Sequence, residues 1–204
     1  MPNDPAPARP KRAYDPEGTR RRLLDVAAEA FQARGYEATS MHDVMRAAGA
    51  TGGALYHHFP SKKALGLAVL EERVADSVAD AWIAPVRSAV TAADGVRAAF
   101  ETVAAGIEAR GRVTGCPLGN LASELALADP AFRDAAEAVF AAWRAAIAAR
   151  LRDEGAADPE VVATFVVAVY SGAMAQAKTA QSAAPLRQCA EMLDALLRER
   201  KRVA

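Results

Sequence analysis

The chain has 204 residues, 52% of them hydrophobic but only 6% aromatic, and its 25 Lys and Arg balance 25 Asp and Glu. A core drawn from Ala, Val and Leu favours closely packed helices, and charge spread over a quarter of the chain argues against extended disorder. No apolar run approaches the roughly 20 residues that cross a bilayer, MPNDPAPARPKRAYDPEG at the start lacks the apolar centre of a secretory signal, and the expected location is the cytoplasm.

Residues 1–15 hold four prolines and little that could be buried, and read as a disordered basic arm. The balance of charge is local: residues 1–66 carry ten Lys and Arg against seven Asp and Glu, concentrated at Arg9, Lys11, Arg12, Arg20, Arg21 and Arg22. A first helix begins near Pro16 to Thr19, carries Leu23, Ala27, Ala30 and Phe31 at helical spacing, and stops at Gly35. In SMHDVMRAAG, Ser40 and Asp43 form a capping-box pattern ahead of Met41, Val44, Met45 and Ala48, the apolar face of a two-turn helix that stops at Gly49. A second short helix follows from about Gly52 to Phe59, ended by Pro60, and Ser61 caps the next.

Longer helices follow. One runs from Lys62 to about Ile83, where Pro85 interrupts it. Others cover about Asp94 to Arg110, Leu118 to Ala128, Pro130 to Glu154, Pro159 to Gln181 and Pro185 to Arg202. No strand alternation and no internal repeat is visible, so the expected fold is all-α.

Two short helices joined by a tight turn at Gly49 and Ala50, with a basic helix before them, form a helix-turn-helix whose second helix would lie in the DNA major groove. Gly52 and Gly53 would expose backbone amides at a helix N-terminus, where a phosphate meets the positive end of the dipole. Leu55 and Phe59 share the inward face, while adjacent His57 and His58 point about 100° apart and do not readily share a metal ion. No metal site or cofactor is expected. Residues 19–65, TRRRLLDVAAEAFQARGYEATSMHDVMRAAGATGGALYHHFPSKKAL, resemble the DNA-binding domain of the TetR family of bacterial transcriptional regulators. The resemblance rests on Phe31 to Tyr36, the TS cap, the AAGAT turn, LYHHF and PSK in order. It implies phosphate contacts from Ser40, Tyr56 and Lys62, with Thr51, Gly53, Ala54 and His57 facing the groove. Gly52 departs from the family, where many members carry a long side chain, so direct base readout is expected to be thin and DNA shape to matter more.

The resemblance also implies the division of the chain: a helix-turn-helix domain at 16–66 and an effector-binding and dimerisation domain at 67–204. GCPLGNLASE, residues 115–124, resembles a motif that starts a pocket-wall helix in some branches of the family, including sensors of flavonoids or antibiotics. Candidate pocket residues are Phe100, Val103, Ile107, Leu118, Leu121, Phe140, Trp143, Phe165 and Tyr170, with Asn120, Glu124, Gln176 and Lys178 as polar anchors, although most of them read as core packing. The expected effector is a small, largely apolar organic molecule. The last two helices would form a four-helix dimer interface, the small residues Ala168, Ser171, Gly172, Ala173 and Ala175 permitting close approach, although burial within one monomer suits the same pattern.

Cys116 precedes Pro117 at a helix start, where the dipole would lower its pKa and allow redox sensing, or it is a small buried hydrophobe. Cys116 and Cys189 show neither disulfide nor metal spacing. Paired nucleophile and base are absent, and His42, His57 and His58 all lie in the front segment, so no catalytic residue is assigned and the chain reads as no enzyme. The reading is a homodimeric repressor that leaves a palindromic operator when an effector binds. The alternatives are a same-fold activator, or an all-helical carrier or enzyme without a DNA role.

Overall fold

Helix α1 spans Pro16–Arg34 in the computed structural model, which describes residues 15–203. The Asp15 carboxylate accepts the Gly18 N–H at 2.8 Å, and Pro16 occupies the first turn, where its missing N–H has no helical partner to lose. Asp15 therefore caps the helix from the end of the arm expected at 1–15; residues 1–14 lie outside the described residues. Leu23, Leu24, Ala27 and Phe31 are buried along one face, and the helix ends at Gly35, whose φ of 94° suits only glycine. Tyr36 then folds back, its ring 5.2 Å from both Phe31 and Phe132.

Helix α2 (Met41–Ala47) opens on a complete capping box: the Asp43 N–H donates to Ser40 Oγ at 3.1 Å and the Ser40 N–H to Asp43 Oδ2 at 3.2 Å. Gly49, at φ 59°, makes the turn into α3 (Gly52–His58), where Thr51 Oγ1 accepts the Ala54 N–H. Val44, Leu55 and Phe59 are buried against α1, as the helical spacing of the last two requires.

Helical backbone then runs unbroken over 62–88, here α4, from the Ser61 cap to Ser88. This corrects the expected interruption at Pro85. The segment Ala79–Ile83 is a π-helical turn, and the Ala84 N–H bonds to the Ala79 carbonyl five residues back. The widened turn just before Pro85 makes room for a ring that clashes with a regular α-helical turn. Near the start of α4 a Cβ on Gly66 would lie 2.6 Å from Tyr36 Cε2 and 2.8 Å from Phe132 Cζ. Gly66→Ala is therefore expected to lose about 1–3 kcal/mol despite alanine's better helix propensity. Urea unfolding reads this directly, and unchanged stability would mean the rings shift freely.

Five helices complete the fold: α5 (Ala92–Arg110), α6 (Pro117–Leu125), α7 (Pro130–Asp153), α8 (Pro159–Ala180) and α9 (Ala184–Val203). Each lies close to its expected bounds; α6 is shorter, and α5 starts two residues early, directly after its Thr91 cap. The described residues contain no strand, so the fold is all-α. Helix α5 packs on α9, and α8 on α7 and α9, around Trp82, Phe100, Trp143 and Tyr170, whose ring centroids lie 4.7–5.5 Å apart. Such edge-to-face clusters add to the stabilisation from burial.

Helix α8 revises one expectation. An 18-residue stretch of its 22 residues reaches a mean hydropathy of 1.4, the length and apolarity of a bilayer-crossing segment, with Ala, Gly, Ser and Thr interspersed among the large apolar residues. Val162, Ala163, Val166, Val167 and Tyr170 nonetheless turn into the protein core.

Candidate nucleic-acid interface and ligand cavity

The buried Leu55 and Phe59 fix the rotation of α3, and that rotation sends Thr51, Gly53, Tyr56 and His57 outward. Tyr56 is 57% exposed, and Ala54 is half-buried at the rim. A groove of about 900 Å³ separates this face from the start of α1, lined by Thr19, Arg22, Gly49, Thr51, Gly53, His57 and others. A Cβ on Gly53 would meet nothing within 4 Å, so the backbone here is open to approach.

The basic run divides by role. Arg20 turns inward, forming a two-pronged ion pair with Glu72 on α4 and lying 5.4 Å from the Phe59 ring centroid; Arg21 and Arg22 stay exposed. His58 is half-buried, and burial first, then His57 and Arg20, lowers its pKa, so it is neutral at pH 7. Two expected phosphate contacts are engaged within the chain. Ser40 Oγ donates to Asp43 Oδ2 at 2.6 Å, and Lys62 Nζ lies 4.4 Å from the Tyr36 ring centroid and donates to the Glu37 carbonyl at 3.1 Å. Burial, reinforced by Glu37, Asp129 and Glu124, pushes the Tyr36 phenol up to about 12. Among the described residues no three His, Cys, Asp or Glu side chains gather as a metal site.

Behind this head lies a cavity of about 410 Å³ between α4, α5, α6 and α8. Val103, Ile107, Trp143 and Tyr170 line it, as do Trp82, Gln32, Arg110 and Cys116. Phe100 is packed behind Trp82 and Tyr170, Phe140 stacks on the outer side of Trp143, and Leu118 and Leu121 are buried without reaching the cavity. Phe165 is 50% exposed on the outer face of α8, which corrects its placement as a lining residue: a helix apolar nearly all round gives no phase from which to tell its inner face. Of the two readings of Cys116, its surroundings favour the small buried hydrophobe. Its enclosure raises the pKa and outweighs the Gly119 and Leu118 amides that lower it, so it is a packed thiol rather than an activated one.

The motif GCPLGNLASE joins cavity to head. Gln32 of α1 lines the cavity and donates to the Gly115 carbonyl at 2.6 Å; Asn120 donates back to Gln32 Oε1 at 3.1 Å. One turn on, the Glu124 carboxylate accepts the N–H groups of Tyr36 and Glu37 at 2.9 and 2.8 Å. Gly115, at φ 94°, leaves space that a Cβ would take from Asn120 Oδ1. Gln32 and Trp82 carry no local sequence signal for this role; only the crossing of α1, α4 and α6 brings them together.

Residues 23–69 match the family model described as bacterial regulatory proteins of the tetR family, and residues 92–192 match the C-terminal domain of LmrA/YxaF-like transcriptional regulators. The chain belongs to the TetR family of bacterial transcriptional regulators. As a member it is a transcriptional regulator of DNA-binding type and not an enzyme. It is similar to the HTH-type transcriptional regulator LmrA of Bacillus subtilis, 25% identical over 186 residues, 88% of this chain and 97% of LmrA. The HTH-type transcriptional repressor DhaR of Mycobacterium sp. strain GP1 is 26% identical over 183 residues, 83% of this chain and 87% of DhaR. Among solved structures, SCO4454, a TetR-family transcriptional regulator from Streptomyces coelicolor, aligns with a TM-score of 0.78 at 26% identity over 92% of each chain.

Proposed function

We propose that this TetR-family member is a homodimeric repressor that leaves a palindromic operator when a small molecule enters the cavity. Residues 16–66 form the DNA-binding head and 67–204 the effector and dimerisation body. The observation that carries the DNA role is the uncovered face of α3: Thr51, Gly53, Tyr56 and His57 point away from a core locked by Leu55 and Phe59. A major groove accepts a helix presented this way. Tyr56 and the first-turn amides contact phosphates; Ser40 and Lys62 join them by exchanging Asp43 and Glu37 for phosphate oxygens. The similarity to a named repressor, DhaR, supports repression.

The dimer forms through α8 and α9. Val161, Phe165, Ala168, Gly172 and Ala175 make one exposed stripe on α8, and Met192 and Leu196 continue it on α9. Two copies related by a two-fold axis present their α3 helices to half-sites about 34–36 Å apart. The cavity has the size of a small-molecule site. A ligand that displaces Gln32 loosens the hold of α6 on α1 and shifts the population toward heads out of register with the groove. A near-complete switch needs roughly 5 kcal/mol of preference for that state.

Fluorescence anisotropy with the duplex immediately upstream of the gene tests the DNA role. Binding should depend on sequence and weaken steeply with salt; equal affinity for a scrambled duplex would overturn it. The coupling has its own test. Glu124→Ala removes the acceptor of two backbone N–H groups, a loss of about 1.5–3 kcal/mol that thermal unfolding reads. It should leave cavity binding unchanged while reducing the ligand-induced loss of operator affinity. Full induction in this variant would place the coupling elsewhere.

A further inference from the structure

Resting on the reading of the cavity as the effector site, we infer that its ligand is a carboxylate carried on an aromatic frame. The wall is biased in charge. Arg110 is its one ionisable cation and no Asp or Glu lines it; among the described residues Arg110 has no ion-pair partner. The guanidinium lies back along α5 over Gly106, where an added Cβ would stand 3.2 Å from Nη1; burial raises the Tyr170 phenol pKa, and Arg110 is near enough to oppose that shift in small part. It is the last residue of α5, exposed on its outer side and free to meet an anion at the cavity mouth.

The wall is equally biased toward donors. Trp143 is 1% exposed, lines the cavity and leaves its Nε1–H without an acceptor. Trp82 Nε1 lies toward the Tyr170 hydroxyl but lacks the geometry of a full hydrogen bond. Buried donors without acceptors are costly, and native interiors rarely leave them so. A ligand oxygen answers both the orphaned indole and the unpaired guanidinium, and the edge-to-face rings of Trp82, Trp143 and Tyr170 offer an aromatic body flat and angled contacts. A cationic ligand finds no counter-charge here, and a hydrocarbon leaves the donors unanswered.

Three matched pairs test this: benzoate, 2-naphthoate and biphenyl-4-carboxylate, each against its neutral amide, by titration calorimetry on the full chain. The acid should bind at least about fivefold tighter than its amide in one or more pairs, the scale of a partly solvated charge-assisted contact. Arg110→Gln should bring that ratio to within twofold without weakening the amide, and Trp143→Phe, which keeps a ring but deletes the N–H, should weaken the acid. Amides that bind as tightly as their acids overturn the carboxylate while leaving a ligand site in place. An acid preference that survives Arg110→Gln overturns it too. No binding by any of the six removes the effector-site reading, and the carboxylate with it.

Discussion

Gly53→Asp is expected to make the protein more stable and to abolish operator binding. Gly53 is in the first turn of α3, has helical backbone and would carry a Cβ into open space. Replacing glycine relieves its conformational entropy cost, and a carboxylate beside the N-terminal amides favours the helix dipole, together worth about 1–2 kcal/mol in each head. On DNA the same carboxylate faces phosphates in both half-sites, and a loss of about 1.5–3 kcal/mol per head multiplies to roughly 10²–10⁴-fold in affinity. Gly53→Ala separates the two effects: it should gain most of the propensity term and keep affinity within about tenfold. Anisotropy and thermal melts on the three proteins read both quantities. A Gly53→Asp variant that binds the operator like the parent would take α3 out of the groove.

The recognition element was legible in the sequence. Its determinants are local. Ser40 and Asp43 are three apart, Gly49 stands where the backbone needs a positive φ, and Leu55 and Phe59 are four apart on a helix too short to bury more than one face. The path of α4 was not legible, because a proline ends a helix unless the preceding turn widens, and that widening at Ala79–Ile83 depends on the packing around Trp82. The cavity was partly legible. Val103, Ile107, Trp143 and Tyr170 stand out as large residues on apolar helices, yet the polar groups that give the cavity its chemistry do not. Arg110 looks like an ordinary basic helix end and Gln32 like a surface residue of α1. Lys62 illustrates the converse: as the lysine of the PSK turn it suggests a phosphate contact, while in the free protein it rests on Tyr36.

Contacts between head and body fall on both sides of α1. Arg20 to Glu72 and Arg73 to Asp25 tie α1 to α4, and Gln32, Asn120 and Glu124 tie its far end to α6. The ion pairs are partly exposed and individually weak, whereas the Glu124 bonds to backbone amides hold a helix end that glycine has already terminated at Gly35. On the proposed function, a ligand in the cavity would meet Gln32 and act on the second set, with the first as a hinge.

Disrupting the α8 stripe should cost as much DNA affinity as Gly53→Asp, without touching the head. Phe165 and Ala168 are exposed in the single chain and neighbours on one face, so Phe165→Asp with Ala168→Arg should alter the stability of the isolated fold by no more than about 0.5 kcal/mol per site. In a two-fold dimer each change appears twice against an apolar surface, which buries charged side chains at the centre of the interface at a desolvation cost that their mutual pairing does not fully offset. The particle should then scatter as one chain of 21.4 kDa rather than two. Each half-site must then recruit its head independently, and losing the effective concentration that the dimer provides lowers operator affinity by about 10²–10⁴-fold. The salt slope should halve with it, because one head neutralises half the phosphates. A variant that remains a dimer, or a monomer that holds the full operator as tightly as the parent, would show that α8 and α9 do not set the spacing of the heads.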